Sequence, residues 1–333
     1  MIQDIIYERY GLIMERQETE GPYQRFFSGQ ALYTIVPIQE VDEEELLERL
    51  KLSQFMQMQG DYYVSTFVMS NERTYLCEND GRLFILLENA ILEEPRSIKI
   101  GSKLARFHER GRMFAEPLQA CNRIGKWKEL WEERLDDLEK VWREKLQSNP
   151  SNEFERMFLE SFPYYLALGE VAIQYLVDCE LDDQPSNIDA GTVNHERFYT
   201  DLWTGEYLVK NPFDWVFDHH SRDLGEWMRE HYQRYPHTYQ PSMIQFMREY
   251  QSYNPLSSFS WRLLYARLLF PVHYLEIIEK YYRGNSQSDK REWQETLGKC
   301  LQQAHYYEEY LRRFYEMHQV PIDRMRIPKV DWL

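Results

Sequence analysis

The densest grouping of chemistry-bearing side chains is Asp218-His219-His220, with Asp214 four residues ahead of it. Carboxylate and imidazole together are donors suited to a divalent metal. Adjacent histidines in an extended segment project to opposite sides, so only one of the pair shares a face with its acidic neighbours, and structural histidines explain the pair more simply. His195-Glu196 opens like the zinc-binding helix H-E-x-x-H, but residue 199 is Tyr, so the second ligand is missing and the motif fails. Cys77, Cys121, Cys179 and Cys300 fall at no metal-ligand spacing and form no C-x-x-C pair. They read as reduced core thiols rather than a zinc site or a disulfide framework. Ser28-Gly29 is the nearest approach to a phosphate-cradling loop, yet a single glycine fits an ordinary turn as well. His108 lies on an otherwise apolar helix face and reads as a core or interlobe histidine.

The elements that must position these groups follow from periodicity. Residues 23–38 place Ser28-Gly29 between two β-prone runs, which predicts a hairpin. Asp42 caps a helix with Glu45 as reciprocal partner, Leu46, Leu47 and Leu50 supply its apolar stripe, and Gly60 ends it. Residues 61–69 read as a strand. A second hairpin turns at Asn79-Asp80-Gly81, where Asp-Gly supplies the positive-φ positions of a tight turn. The period changes at Pro95, and Ile98, Leu104, Ala105 and Phe107 begin a helix. Trp127, Trp131, Leu135, Leu138 and Trp142 carry a second helical stripe to Asn149-Pro150. A third helix, residues 153–176, is apolar on several faces and so central. Residues 182–223 are punctuated by Gly, Asn and Asp, with short β-like pieces around Phe198 and 207–209, and helices resume from Asp223 to the end. The expected organisation is α+β: a small antiparallel-sheet lobe over about 1–88 and a large, mainly helical lobe over about 89–333 with a β-rich insertion at 182–223.

Composition narrows the function classes. The 333 residues carry 39 basic and 55 acidic side chains, a net charge of −16, so a nucleic-acid backbone or an anionic membrane meets a repelling average surface. The apolar runs 83–87 and 263–269 are far shorter than the roughly 18 residues needed to span a bilayer, and the N-terminal residues lack the basic start and apolar core of a signal peptide. No membrane insertion and no nucleic-acid partner are expected. The 25 tyrosines suit amphipathic contact surfaces, and an exposed cluster among Tyr232, Tyr235, Tyr239, Tyr250 and Tyr253 is one expectation; the alternative is that they line the helical core.

A small sheet lobe with one helix, followed by a helical lobe, resembles the protein-kinase-like phosphotransferases. Lys103-Leu104-Ala105-Arg106-Phe107-His108 is similar to the helix opening of aminoglycoside-phosphotransferase-like kinases, and Arg222-Asp223-Leu224 is similar to the segment after their metal-binding strand. Residues 250–256 and 268–282 resemble the bacterial endospore coat-associated proteins of the CotS family, most closely the YutH type. The resemblance spans about residues 23–314 and implies the bilobal aminoglycoside phosphotransferase-like fold.

An active member needs a lysine on the phosphates, a catalytic Asp, a metal-binding Asn and a further metal-binding Asp. The resemblance puts the lysine on the third small-lobe strand, where residues 31–38 contain none. The His-x-Asp loop matches His195 onward, with Arg197 at the Asp position and Leu202 at the Asn position. A guanidinium cannot accept a hydroxyl proton, and leucine offers no lone pair. Asp201 is a fallback base four residues out of register, and Glu196 points away if the loop is extended. The metal-binding Asp falls on Asn211, whose neutral amide weakens the charge term for Mg²⁺; Asp214 or Asp218 substitutes only after a register shift. The acidic run 40–45 reads as a helix start that favours the dipole, with an ion pair to the missing lysine as the alternative.

The resemblance with these losses implies a pseudokinase with a structural or interaction role, made in the mother-cell cytoplasm and incorporated into the endospore coat by binding other coat proteins. No cofactor is expected; ATP and Mg belong to the alternative, an atypical small-molecule phosphotransferase or nucleotide-binding protein using shifted carboxylates.

Overall fold

The computed structural model describes residues 2–20, 23–92, 99–203, 207–284 and 286–330. Helix α1 (Ile2–Tyr10) precedes strands β1 (Gln17–Glu20), β2 (Tyr23–Ser28) and β3 (Ala31–Ile38), helix α2 (Glu43–Met58), and strands β4 (Thr66–Phe67), β5 (Leu76–Asn79) and β6 (Arg82–Ala90). They form an antiparallel sheet in the order β1-β2-β3-β6-β4, with β5 also on β6. Both anticipated hairpins form. Ser28 pairs with Ala31 around Gly29 at φ +60°, and Asn79 pairs with Arg82 around Asp80 at +50° and Gly81 at +76°. Strand alternation divides the apolar residues between two faces. Phe26, Tyr33, Ile35, Phe84 and Leu86 pack with Ile6 of α1, while Leu32, Val36, Ile85 and Leu87 line the other face.

Two small-sheet expectations change. The strand expected at 61–69 shrinks to Thr66–Phe67 because the backbone of Tyr63 and Ser65, on either side of Val64, bonds Lys210 instead of a sheet neighbour. Strand β1, Gln-Glu-Thr-Glu, has no apolar alternation to reveal it and pairs through its backbone with β2. Helix α2 is capped by Asp42, whose carboxylate accepts from the Glu45 N–H at 3.0 Å, but Glu45 turns its side chain to Arg49 rather than back to the cap.

The later helices are α3 (Ile100–Arg112), α4 (Trp127–Ser148) and α5 (Glu153–Asp182). Pro95 and Ile98, where the sequence places the change of period, lie outside the described residues. Helix α5 runs unbroken through Pro163, which has no N–H for the carbonyl of Leu159; the Trp142 indole donates to that carbonyl at 3.1 Å. Strands β7 (Thr192–His195) and β8 (Trp215–Asp218) follow, then α6 (Ser221–Arg234), α7 (Tyr239–Gln251), α8 (Ser258–Leu269), α9 (Val272–Arg283), α10 (Gln287–Met317) and α11 (Ile322–Met325). The β pieces of the insertion are thus β7 and β8, not the segments at Phe198 and 207–209. The expected tyrosine cluster does not form as one surface. Tyr232 and Tyr250 are buried and Tyr239 is partly so, while Tyr235 and Tyr253 are exposed.

By packing, the chain separates into two compact units. One is Met1–Asn122 with Gly191–Asp218, the other Arg123–Ala190 with His219–Leu333. This division differs from lobes at 1–88 and 89–333, because α3 and the β7/β8 pair pack with the sheet unit. At α3 the approach is close: a Cβ on Gly111 would lie 2.6 Å from the Val193 nitrogen. In the second unit Trp127 and Trp131 are core, as their spacing predicts, and Trp131 stacks on Phe270 at 4.4 Å.

Candidate functional site

Strands β7 and β8 pair antiparallel, with His195 opposite Trp215 and Thr192 opposite Asp218. The chain therefore leaves at His195 and returns beside it, and the Glu196 N–H donates to the Asp214 carbonyl at 2.6 Å. This hairpin brings together the two stretches singled out by sequence, His195–Arg197 and Asn211–Asp214. His195 is 1% exposed, stacked on Phe107 at 5.1 Å and flanked by Phe198 and Trp203. Arg197 is partly buried, Glu196 and Asp201 are exposed, and Asp201 and Leu202 sit in the turn before the buried Trp203. His108 is fully buried, and its carbonyl accepts from the Thr192 hydroxyl at 2.7 Å, so it belongs to the core.

Asn211 is buried and spends its side-chain oxygen on the Phe213 N–H at 3.0 Å, capping the 3-10 turn Pro212–Asp214. The Asp214 carboxylate accepts the Tyr23 hydroxyl at 2.8 Å. Burial raises the Asp214 carboxyl above its ordinary value, against the hydrogen bond from Tyr23 and the charges of His195, Arg49 and Arg25. Asp218 is 1% exposed at the end of β8. His219 and His220 fall in the other compact unit, where His219 lies 3.7 Å from Asp189 and its Nδ1 accepts from the Ser221 N–H. Among the described residues no group of three His, Cys, Asp or Glu is placed to hold a metal.

Sequence reasoning missed the strongest charge cluster of this unit. Lys210 is 5% exposed and donates to Asp61 at 2.6 Å; Arg110 of α3 donates to the same carboxylate oxygen at 3.0 Å. The ammonium also faces the rings of Trp203 and Phe107 at 4.6 and 5.1 Å. Burial lowers the Lys210 pKa while Asp61 opposes the shift. One signal was available: a lone charge, Lys210, in the mostly apolar run Tyr-Leu-Val-Lys-Asn-Pro-Phe at 207–213. Backbone bonds from Lys210 N to the Tyr63 carbonyl and from Ser65 N to the Lys210 carbonyl fix the segment further.

Helix α2 holds the same segment from another side. Arg49 donates to the carbonyls of Pro212 and Trp215 at 2.6 and 3.1 Å. Its neighbour Glu48, buried and acidic, accepts the N–H groups of Gln119, Ala120 and Cys121. Two acidic side chains of α2 are thus engaged without a β3 lysine: Glu45 with Arg49, Glu48 with backbone. On β3 the inward positions Leu32, Thr34 and Val36 are uncharged. Val209 packs on Phe27 and Leu32, and Phe213 packs on the patch made by Val36, Ile85 and Leu87. Residues of the 207–213 segment therefore lie directly against the sheet face on which a phosphate-binding lysine would stand.

Comparison with known proteins agrees with this layout. A family model described as "Spore coat putative kinase YutH" matches residues 3–314. The chain is 42% identical over 334 aligned residues to the endospore coat-associated protein YutH of Bacillus subtilis, covering all of this chain and 98% of that one. It is 25% identical over 194 residues to spore coat protein S of the same organism, covering 55% and 54%. Among solved structures, an aminoglycoside phosphotransferase of Alicyclobacillus acidocaldarius superposes with a TM-score of 0.65 at 11% identity, covering 92% of this chain and 93% of that one. A spectinomycin phosphotransferase superposes at 0.60 with 12% identity, covering 90% and 93%.

Proposed function

Because the chain belongs to the YutH family of spore coat proteins and has the aminoglycoside phosphotransferase-like fold, we propose that it is a pseudokinase: a coat component that keeps the kinase frame, transfers no phosphoryl group, and acts by binding other coat proteins. The observation that carries this reading is the packing of Val209 and Phe213 on the inner face of the sheet, where β3 offers only Leu32, Thr34 and Val36. Mg-ATP does not fit these residues. The Asn211 oxygen is engaged by its own turn and Asp214 by Tyr23, and the resemblance implies Leu202 and Arg197 at the positions of a metal ligand and a base. A positioned base alone contributes about 10²–10⁴-fold in rate, and its loss comes together with loss of the phosphate-binding cation.

The coat role rests on the relative named as endospore coat-associated; synthesis in the mother cell and assembly on the spore surface belong to the same proposal. Thermal unfolding with and without Mg-ATP tests the site. A ligand at about 100 times its Kd stabilises by about 2.7 kcal/mol, and no displacement of the midpoint is expected. ATP hydrolysis, or phosphorylation of a small alcohol, at a rate abolished by Asn211→Ala or Asp214→Asn would overturn the proposal in favour of a phosphotransferase with shifted carboxylates. Stabilisation without turnover would replace it by a nucleotide-binding role. A fluorescent fusion followed through sporulation tests the location, with a ring at the spore periphery as the expected image.

A further inference from the structure

Helices α5, α6, α9 and α10, all within the second compact unit, line a cavity of about 350 Å³. That volume falls in the range of small-molecule sites and is more than twice the roughly 150 Å³ in which an apolar cavity takes up benzene. Its buried wall is Tyr165, Leu168, Ile277, Tyr307 and Leu311, with half-buried Trp293 beside them. The buried tyrosines spend their hydroxyls on the protein. Tyr307 donates to the Leu268 carbonyl at 2.8 Å, and the Tyr165 hydroxyl lies 3.8 Å from the Cys300 sulfur. What they offer a guest is therefore the ring. Two rings of the wall are also held from behind or above: Tyr165 stacks on Tyr274 at 3.7 Å, and the Lys280 ammonium sits over Trp293 at 5.0 Å. A preformed wall of rings favours a flat aromatic guest, which gains stacking and edge contacts that an aliphatic one cannot make.

The charged residues of the lining decide the guest's charge. Among the described lining residues these are Glu276, Glu308, Lys280 and Lys299, two acidic and two basic, each partly or fully exposed. The mouth thus has no net sign with which to select an ion. The buried wall holds no ionised side chain among the described residues, and burial keeps the lining His273 neutral, its pKa lowered to about 3. An ion drawn inside would lose water and meet no counter-charge, a cost that an uncharged guest avoids.

We propose that this cavity binds a small, uncharged, bicyclic aromatic molecule. The site is independent of the pseudokinase reading. The probe is indole. Indole-3-acetate and tryptamine add a negative and a positive charge to the same ring, and cyclooctanol is uncharged and of like carbon count but aliphatic.

Binding to the full chain is read by saturation-transfer NMR, with Cys300 as a second readout. Cys300 lines the cavity and is half-buried, whereas Cys77, Cys121 and Cys179 are buried, so it is the thiol a reagent reaches first. Burial pushes that thiol up to about 11, so its alkylation by iodoacetamide is followed at about pH 9. A bound guest should slow the alkylation by 1 + [L]/Kd, about fourfold at three times Kd. Indole is expected to bind at about millimolar Kd, cyclooctanol about tenfold more weakly and the two ions more weakly still. Ala304→Trp, which puts a ring into the cavity, should abolish both the NMR signal and the protection of Cys300. Thr296→Trp, on the same helix wall, serves as the blocking variant if Ala304→Trp does not fold. No indole binding at about 5 mM, no protection of Cys300, equal binding of either ion or of cyclooctanol, or binding unchanged in the blocking variant overturns the assignment. A cavity holding only water gives the first of these results.

Discussion

Asp61 serves two cations at once, Lys210 and Arg110, and the two partners of the pair are therefore not equivalent. Removing one member of a buried ion pair costs about 3–5 kcal/mol because the other charge is left without compensation. Lys210→Met leaves Asp61 with Arg110, whereas Asp61→Asn strands both cations. Urea unfolding should show Asp61→Asn losing more stability than Lys210→Met, and the double variant should lose less than the sum of the two. The pH dependence has two separate origins. His273 and His318 are pushed by burial to about 3, so the unfolded chain takes up protons first, and stability falls as pH drops from about 6.5 toward 3. Asp189 behaves differently. Burial would raise its carboxyl, but hydrogen bonds from His219, Ser257, Ser260 and the Ser186 backbone outweigh burial and hold it below the usual carboxylate range. Its contribution is present above the unfolded value near 3.9 and is lost only as pH falls below it. His318→Gln should flatten the denaturation profile between about pH 6 and 4, and Asp189→Asn only below about pH 4. Arg197, Leu202 and Asn211 could be singled out in the sequence because a resemblance supplied the positions to inspect. The gain at Lys210 and Asp61 was not legible there, since a partner separated by 149 residues leaves no local pattern.

Elements with strong local signals formed as their sequence indicates: the Asp42 cap, the Asp80-Gly81 turn and the tryptophan stripe of α4. Those that differ are short pieces whose partners are remote. Residues 61–69 form little strand because the backbone of Ser65 bonds Lys210, and 207–209 is held by apolar packing rather than by a ladder. Helix α5 passes through Pro163 for a related reason, a contact from another element. The Trp142 indole of α4 satisfies the Leu159 carbonyl that proline cannot. Trp142→Phe should cost about 1–3 kcal/mol, as for a polar group left unsatisfied. Pro163→Ala restores an N–H to that carbonyl, so Trp142→Phe should be milder in the Pro163→Ala background. Equal losses in the two backgrounds, measured by chemical denaturation, would show that the indole's bond is not what lets the helix continue.

At the scale of the whole chain, a net charge of −16 means that acidic groups repel one another wherever they are not locally paired. Screening with salt should raise the thermal midpoint by about 1–3 °C between low and physiological ionic strength; a fall on adding salt would show that surface ion pairs outweigh the repulsion. The discontinuous sheet unit bears on how the chain is made. Strands through Ala90 emerge early, yet the inner face they expose, with Leu32, Val36, Ile85 and Leu87, is fully covered only when Val209 and Phe213 join the earlier Leu46 and Phe67. On a ribosome adding about 5–20 residues per second, that surface stays partly open for on the order of ten seconds. The growing chain is therefore most exposed to aggregation before its second half exists, and chaperone demand should fall on nascent chains rather than on the finished protein.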